Sequence, residues 1–153
     1  MTDYAIGSHI RLEDSSHPEI SPGFPRLVDP FRQESIDRMF TEEQELPWDL
    51  LPGTRCLLHT EHVFDPFPVS SWGFVQIRST FARMGLHLPP TGIDPGFRGQ
   101  VVVEVKNENE YAAIRLTTGL LLISVIESFT REPEYKGRYI GQTGIQIPRA
   151  LDR

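Results

Sequence analysis

One cysteine, Cys56, stands in 153 residues. A lone thiol excludes an internal disulfide framework and any cysteine-rich zinc site. Lysine is almost missing too: Lys106 and Lys136 are the only two, and the other basic residues are arginines. Acidic residues outnumber basic ones by 21 to 15, and a net charge of −6 argues against a protein that coats nucleic acid. The longest apolar run, residues 119–126, is broken by Ser124 and falls far short of a bilayer span. The N-terminus (MTDYAIGSHIRLED) has no basic start leading into an apolar stretch, so no signal peptide is expected. Together these absences predict a cytoplasmic protein that neither crosses a membrane nor binds nucleic acid. What remains is an ordinary globular composition, 39% apolar and 24% charged, in a length suited to a single domain.

The preference for arginine has a chemical reading. An acidic protein that needs a phosphate site must build it locally, and guanidinium forks suit that task better than a diffuse lysine surface. A compositional bias of the source is the alternative.

Proline and glycine, 13 and 12 residues, are dispersed rather than gathered into one linker. That spacing predicts short strands with tight connections, not a helical bundle. Strands are expected at 9–12, 56–64, 74–77, 100–106, 111–116 and 120–126, with a turn over Thr117, Thr118 and Gly119. One short helix is expected within 29–40, a loop over 15–30, and a solvated acidic turn over 42–45. Strands at such intervals point to an all-β sandwich or barrel.

Four segments could carry chemistry. In RSTFARMGL, residues 78–86, a strand gives way to a helical turn. Its backbone N–H groups, the hydroxyls of Ser79 and Thr80, and the charges of Arg78 and Arg83 suit a phosphate; the plainer alternative is a helix capped by Ser79. In IDPGFRG, residues 93–99, Pro95-Gly96 demands a turn that leaves Asp94 at a strand end and Phe97 just past it. That pair could meet a sugar, or Asp94 could simply bond its own turn. In QVVVEVK, residues 100–106, alternation sends Val101, Val103 and Val105 to the core and Glu104 outward. Glu104 is then a solvated carboxylate, unless another subunit covers it and raises its pKa enough for general-base work. The fourth segment, YKGRYIGQTG over 135–144, reads as a flexible lid for an anion or as a mobile tail. His59 and His62 would face opposite sides of a strand, so a shared metal is not expected.

In this order the segments resemble the dCTP deaminase and trimeric dUTPase superfamily. LPGTRCLLHTEH at 51–62 is similar to the family's "pPGxfxLaxTxE", and RSTFARMGL to "RSSLARLGL". IDPGFRGQVVVEVKN at 93–107 is similar to "IDPGwxGxixLExxN", and RYIGQTG at 138–144 to "KYxgQxG". The resemblance covers about two-thirds of the chain, residues 50–149. It implies a single β-rich domain over 1–153, a distorted barrel or jelly roll of the dUTPase type, assembled as a homotrimer with active sites between subunits. Residues 1–49 would be a divergent N-terminal segment and 135–153 a C-terminal lid or tail. It further implies a deoxynucleoside triphosphate substrate carrying Mg²⁺ on its phosphates, with no metal bound directly by the protein.

By the same resemblance Glu104 matches the glutamate with which dCTP deaminases activate water, without zinc. Ser79 and Arg83 would lie near the base, and Asp94 matches the carboxylate with which dUTPases hold water. Arg78, Ser79 and Thr80 would take phosphates, Phe97 the deoxyribose, and Tyr135, Arg138 and Gln142 the lid. The expected activity is dCTP deamination to dUTP and ammonia, possible extension to dUMP included; the alternatives are a dUTPase-like pyrophosphatase and a non-catalytic nucleotide binder. The chain departs from the pattern in three places. His9 stands where an Asp that assists Mg²⁺ is usual, the hairpin between Leu86 and Ile93 is about two residues short, and Arg138 replaces a Lys. The Gly-rich dUTPase C-terminal motif with its Phe is absent from the sequence.

Overall fold

A computed structural model describes residues 1–14, 27–131 and 135–152. Most of the expected 15–30 loop lies outside the described residues. In chain order the elements are β1 (Thr2–Tyr4), β2 (Ile6–Leu12), α1 (Gln33–Asp37), β3 (Gln44–Glu45), β4 (Trp48–Leu50), β5 (Arg55–Thr60) and β6 (Ser71–Ile77). Then follow α2 (Ser79–Arg83), β7 (Leu86–His87), β8 (Thr91–Ile93), β9 (Val102–Asn107), β10 (Ile114–Leu116) and β11 (Ile123–Phe129). The β-rich expectation holds, and the short helix falls where composition placed it.

The strands form three antiparallel sheets among the described residues: β1-β11-β6-β8, β3-β2-β5-β9-β7, and the pair β10-β4. Their ladders do not close into a barrel; side chains join the sheets instead. Ile10, Leu58, Val103 and Val105 belong to the same buried cluster as Val75, Ile93, Ile123 and Val125. No helix among the described residues is long and apolar enough to cross a membrane.

β9 shows why the alternation matters. Val101, Val103 and Val105 are buried, while Val102 and Glu104 are half-buried on the opposite face. β5 lies between β2 and β9 and is buried on both faces, which is why its sequence, RCLLHT, does not alternate. Cys56 sits in this strand with its thiol pushed up to about 12 by burial. β5 stops at Thr60, earlier than residue 64, because Thr60 turns its side chain to the backbone. Its Oγ1 donates to His62 O at 2.8 Å and accepts from Val101 N–H at 3.0 Å.

Opposite His59, β2 bulges between Ile6 and Ile10. Gly7 leaves the notch that the imidazole fills, since a Cβ there would fall 2.0 Å from His59 Cε1. At the far end of β9, Asn107 is wholly buried and fully bonded. Its Nδ2 donates to Leu50 O and Ala112 O at 2.9 and 2.8 Å, and its Oδ1 accepts from Asn109.

Candidate active site

A cavity of about 410 Å³ opens on the outward face of β9. Its floor is Leu57 from β5 with Val101, Val102 and Glu104 from the β9 strand and its lead-in. One side is the β8 edge, Thr91 to Asp94, with Phe97. The roof is the C-terminal segment, through Tyr135, Tyr139, Gln142, Gln146 and Pro148.

Each of the two acids is placed by local structure. Glu104 pairs across the ladder with Leu57, so strand register aims it into the cavity. Asp94 follows β8 and opens a turn in which Phe97 N–H donates to Asp94 O at 3.1 Å. Gly96 takes φ +74, the left-handed backbone that turn needs. Phe67 anchors the turn from both sides: Gly96 N–H donates to Phe67 O, and Phe67 N–H to Phe97 O. Burial pushes the Asp94 carboxyl above the usual carboxylate range, partly offset by a backbone hydrogen bond within its own residue. Phe97 is buried with its ring 5.8 Å from that of Tyr135.

The C-terminal segment is strapped to the body. Tyr135 N–H donates to Pro95 O at 2.6 Å, and Gly141 N–H to Arg98 O at 2.6 Å. Gln100 N–H donates to Gln142 O at 2.7 Å, while Gln142 Nε2 donates to Gln100 O at 2.6 Å. The Gln100 side chain links the strap to β5, accepting from Gly144 N–H and donating to Thr60 O. Gly99 permits this contact: at φ +125 it lies so close to Gln142 that a Cβ would be 2.2 Å from the carbonyl oxygen. These bonds tie residues 135–144 to the body of their own chain.

Five of the candidate residues thus meet in one cavity: Glu104, Asp94, Phe97, Tyr135 and Gln142. The others stand apart. Ser79, Thr80 and Arg83 are exposed on α2, beyond the Asn107 end of β9. Arg78 is the N-cap residue of that helix and Ser79 its first helical residue, with no side-chain cap, so Ser79 does not cap it as expected. The Arg78 guanidinium pairs with Asp3 at 3.0 Å and donates to Leu121 O at 2.9 Å. Arg138 donates to Ala150 O at 2.8 Å.

The two histidines are held apart, His59 within β5 and His62 beyond its end at Thr60. His59 is buried; its Nδ1 lies 3.0 Å from Thr60 O, and its Nε2 accepts from His9 N–H at 3.4 Å. His62 packs against Tyr4 and Phe64 elsewhere. Among the described residues no three His, Cys, Asp or Glu side chains cluster as metal ligands. The sequence reading missed Tyr139, Gln146 and Pro148 as cavity residues. Tyr139 lay within a quoted motif; the other two follow it with no periodicity to mark them.

Two carboxylates thus line one cavity on a β-rich frame, roofed by a strapped C-terminal segment. The chain belongs to the dCTP deaminase-like family, whose model matches residues 10–126, including both acids and the α2 segment. It is 35% identical over 129 residues to a dCTP deaminase of Caldivirga maquilingensis, covering 82% of this chain and 71% of that protein. It is 37% identical over 128 residues to one of Metallosphaera sedula, covering 82% and 74%. In fold it is similar to the crystal structure of 2'-deoxycytidine 5'-triphosphate deaminase from Agrobacterium tumefaciens. That match has a TM-score of 0.59 at 17% identity and covers 84% of this chain and 38% of the other.

Proposed function

We infer that this protein is a dCTP deaminase, converting dCTP and water to dUTP and ammonia. The observation that carries the reading is Glu104, aimed by strand register into a cavity with Asp94 inside the family-matched span. Glu104 takes a proton from water as the oxygen attacks C4 of cytosine. The tetrahedral carbon then expels its amino group as ammonia, which receives that proton back from Glu104, while the proton of the new C4 hydroxyl ends on N3 as the uracil carbonyl forms. Water activation by a positioned carboxylate makes the step zinc-independent. Asp94 and Phe97 face the deoxyribose, and Tyr135 and Gln142 hold the roof over the nucleotide. Mg²⁺ arrives with the triphosphate.

The remaining groups come from a neighbour. Arg78, Ser79, Thr80 and Arg83 lie outside this cavity, with the hydroxyls and Arg83 exposed. In a homotrimer a second copy brings them to the base and phosphates, where Arg83 restrains charge developing on the attacked ring. Arg78 must exchange its Asp3 partner for phosphate; Arg138 acts on the phosphate side of the lid. In this reading residues 1–153 work as one domain, and the three open sheets are the subunit form of a dUTPase-type distorted barrel.

The test is ammonia release from Mg·dCTP. Wild type is expected to release ammonia and Glu104→Gln to lose at least roughly a hundredfold in rate, the usual scale of a lost general base. No release by wild type, or undiminished release by the variant, overturns the reading. The presence of Asp94 beside Glu104 in the cavity supports a second reading, hydrolysis of dUTP to dUMP and pyrophosphate, alone or after deamination. Pyrophosphate formation lost in Asp94→Asn but kept in Glu104→Gln selects it.

A further inference from the structure

The roof of the cavity includes Pro148, and α1 supports it there through Gln33. That helix has five residues and buries one side chain, Ile36. The chain just after it is tied to β2: Thr41 N–H donates to Leu12 O at 2.9 Å, and Leu12 N–H to Thr41 Oγ1 at 3.2 Å. From this anchored helix Gln33 reaches the tail. Its Nε2 donates to Pro148 O at 2.9 Å, and its Oε1 accepts from Ala150 N–H at 2.8 Å. The same Nε2 donates to Asp37 Oδ1 at 2.9 Å, one helical turn on. Asp37 Oδ1 and Pro148 O both accept from the amide nitrogen while Ala150 N–H donates to its oxygen, so the three partners agree on which way the amide faces. Pro30 O adds another link, accepting from Leu151 N–H at 2.8 Å.

We propose that Gln33, held by Asp37, is a positioning residue of the nucleotide pocket: it clasps the tail at Pro148 and Ala150 and thereby sets how long a nucleotide stays in the cavity. The proposal deepens the deaminase reading and rests on it for the identity of the ligand. Hydrogen bonds at an exposed clasp are individually weak, so they bias the closed form rather than lock it. A smaller closed fraction weakens apparent binding in proportion. Glu104 is untouched by the clasp, so the effect falls on KM and residence time, not on the chemical step.

The experiment compares Gln33→Ala, Gln33→Glu and wild type. It reads amide exchange protection at Ala150 and Leu151, then KM and kcat for ammonia release from Mg·dCTP. Gln33→Ala is expected to lose roughly tenfold in protection there and to raise KM about three- to tenfold, with kcat within about twofold. Gln33→Glu keeps the size but sets a second acid against Asp37 and Pro148 O. Its loss of protection should be full near pH 8 and recover as pH falls toward about 4.5, where that carboxyl takes up a proton. Should Gln33→Ala lower the melting temperature sharply, Asp37→Asn replaces it, weakening one of the three bonds that hold the amide, with a smaller change in the same direction. Unchanged protection, or unchanged KM in an active variant, overturns the clasp. An inactive wild type overturns the deaminase reading instead, and the protection data still decide the clasp.

Discussion

His59 sits in a notch made for it, and its protonation state follows from that place. Burial holds its pKa below the ordinary histidine value, and neighbouring His9 acts in the same direction. A hydrogen bond to Thr60 and the charge of Glu43 oppose them more weakly. The unfolded chain therefore takes up this proton at higher pH than the folded one. Its contribution to stability is complete above about pH 6.5 and is lost as pH falls through the lower folded value. Urea unfolding between pH 7.5 and 5 should show the midpoint dropping in wild type and dropping less in His59→Gln. Equal slopes for both would remove His59 as the cause. None of this was legible in the sequence, where His59 and His62 read as a pair to be doubted. The notch depends on a bulge in β2, and only Gly7 hints at it.

Strands were the more legible features. β9 announced itself through three alternate valines, and the same alternation aimed Glu104 outward, away from the core. The IDPGF turn was equally plain, because Pro95-Gly96 leaves the backbone few choices. Chain reversals held by side chain to backbone bonds were not. The strap over the cavity is fixed by Gln100, whose role no periodicity betrays, and the early end of β5 is fixed by Thr60. Gly99 is where the strap meets the frame. Gly99→Ala would force a side chain into the left-handed region and against Gln142 O, at a strain of about 1–3 kcal/mol. The strap should yield before the sheets do. Limited proteolysis should then cut the variant within 135–152 well before wild type, at a melting temperature lowered by only a few degrees; identical digestion patterns would contradict that order of events.

For the molecule as a whole, the pattern of what met and what did not is the main guide. The two acids met Phe97, Tyr135 and Gln142 within one chain, whereas Arg138 and the α2 residues stayed outside. A single sequence cannot say which chain supplies which half, because spacing along the chain carries no record of the neighbour. Exposed Phe74 and Ile126 are partners in the β6–β11 ladder, an apolar pair on the outer face. Light scattering on the eluting protein should give three times the 17.5 kDa chain mass at micromolar concentration. A monomer with full activity would contradict the proposed division of the site.

The separation of α2 from the Glu104 cavity also bears on inheritance. In the proposed trimer a chain spoiled at Glu104 still lends sound arginine and serine to the next, and a chain spoiled on α2 still offers a sound acid. Two defective copies in one cell would thus assemble some working centres between them, and harm would be counted per junction rather than per gene.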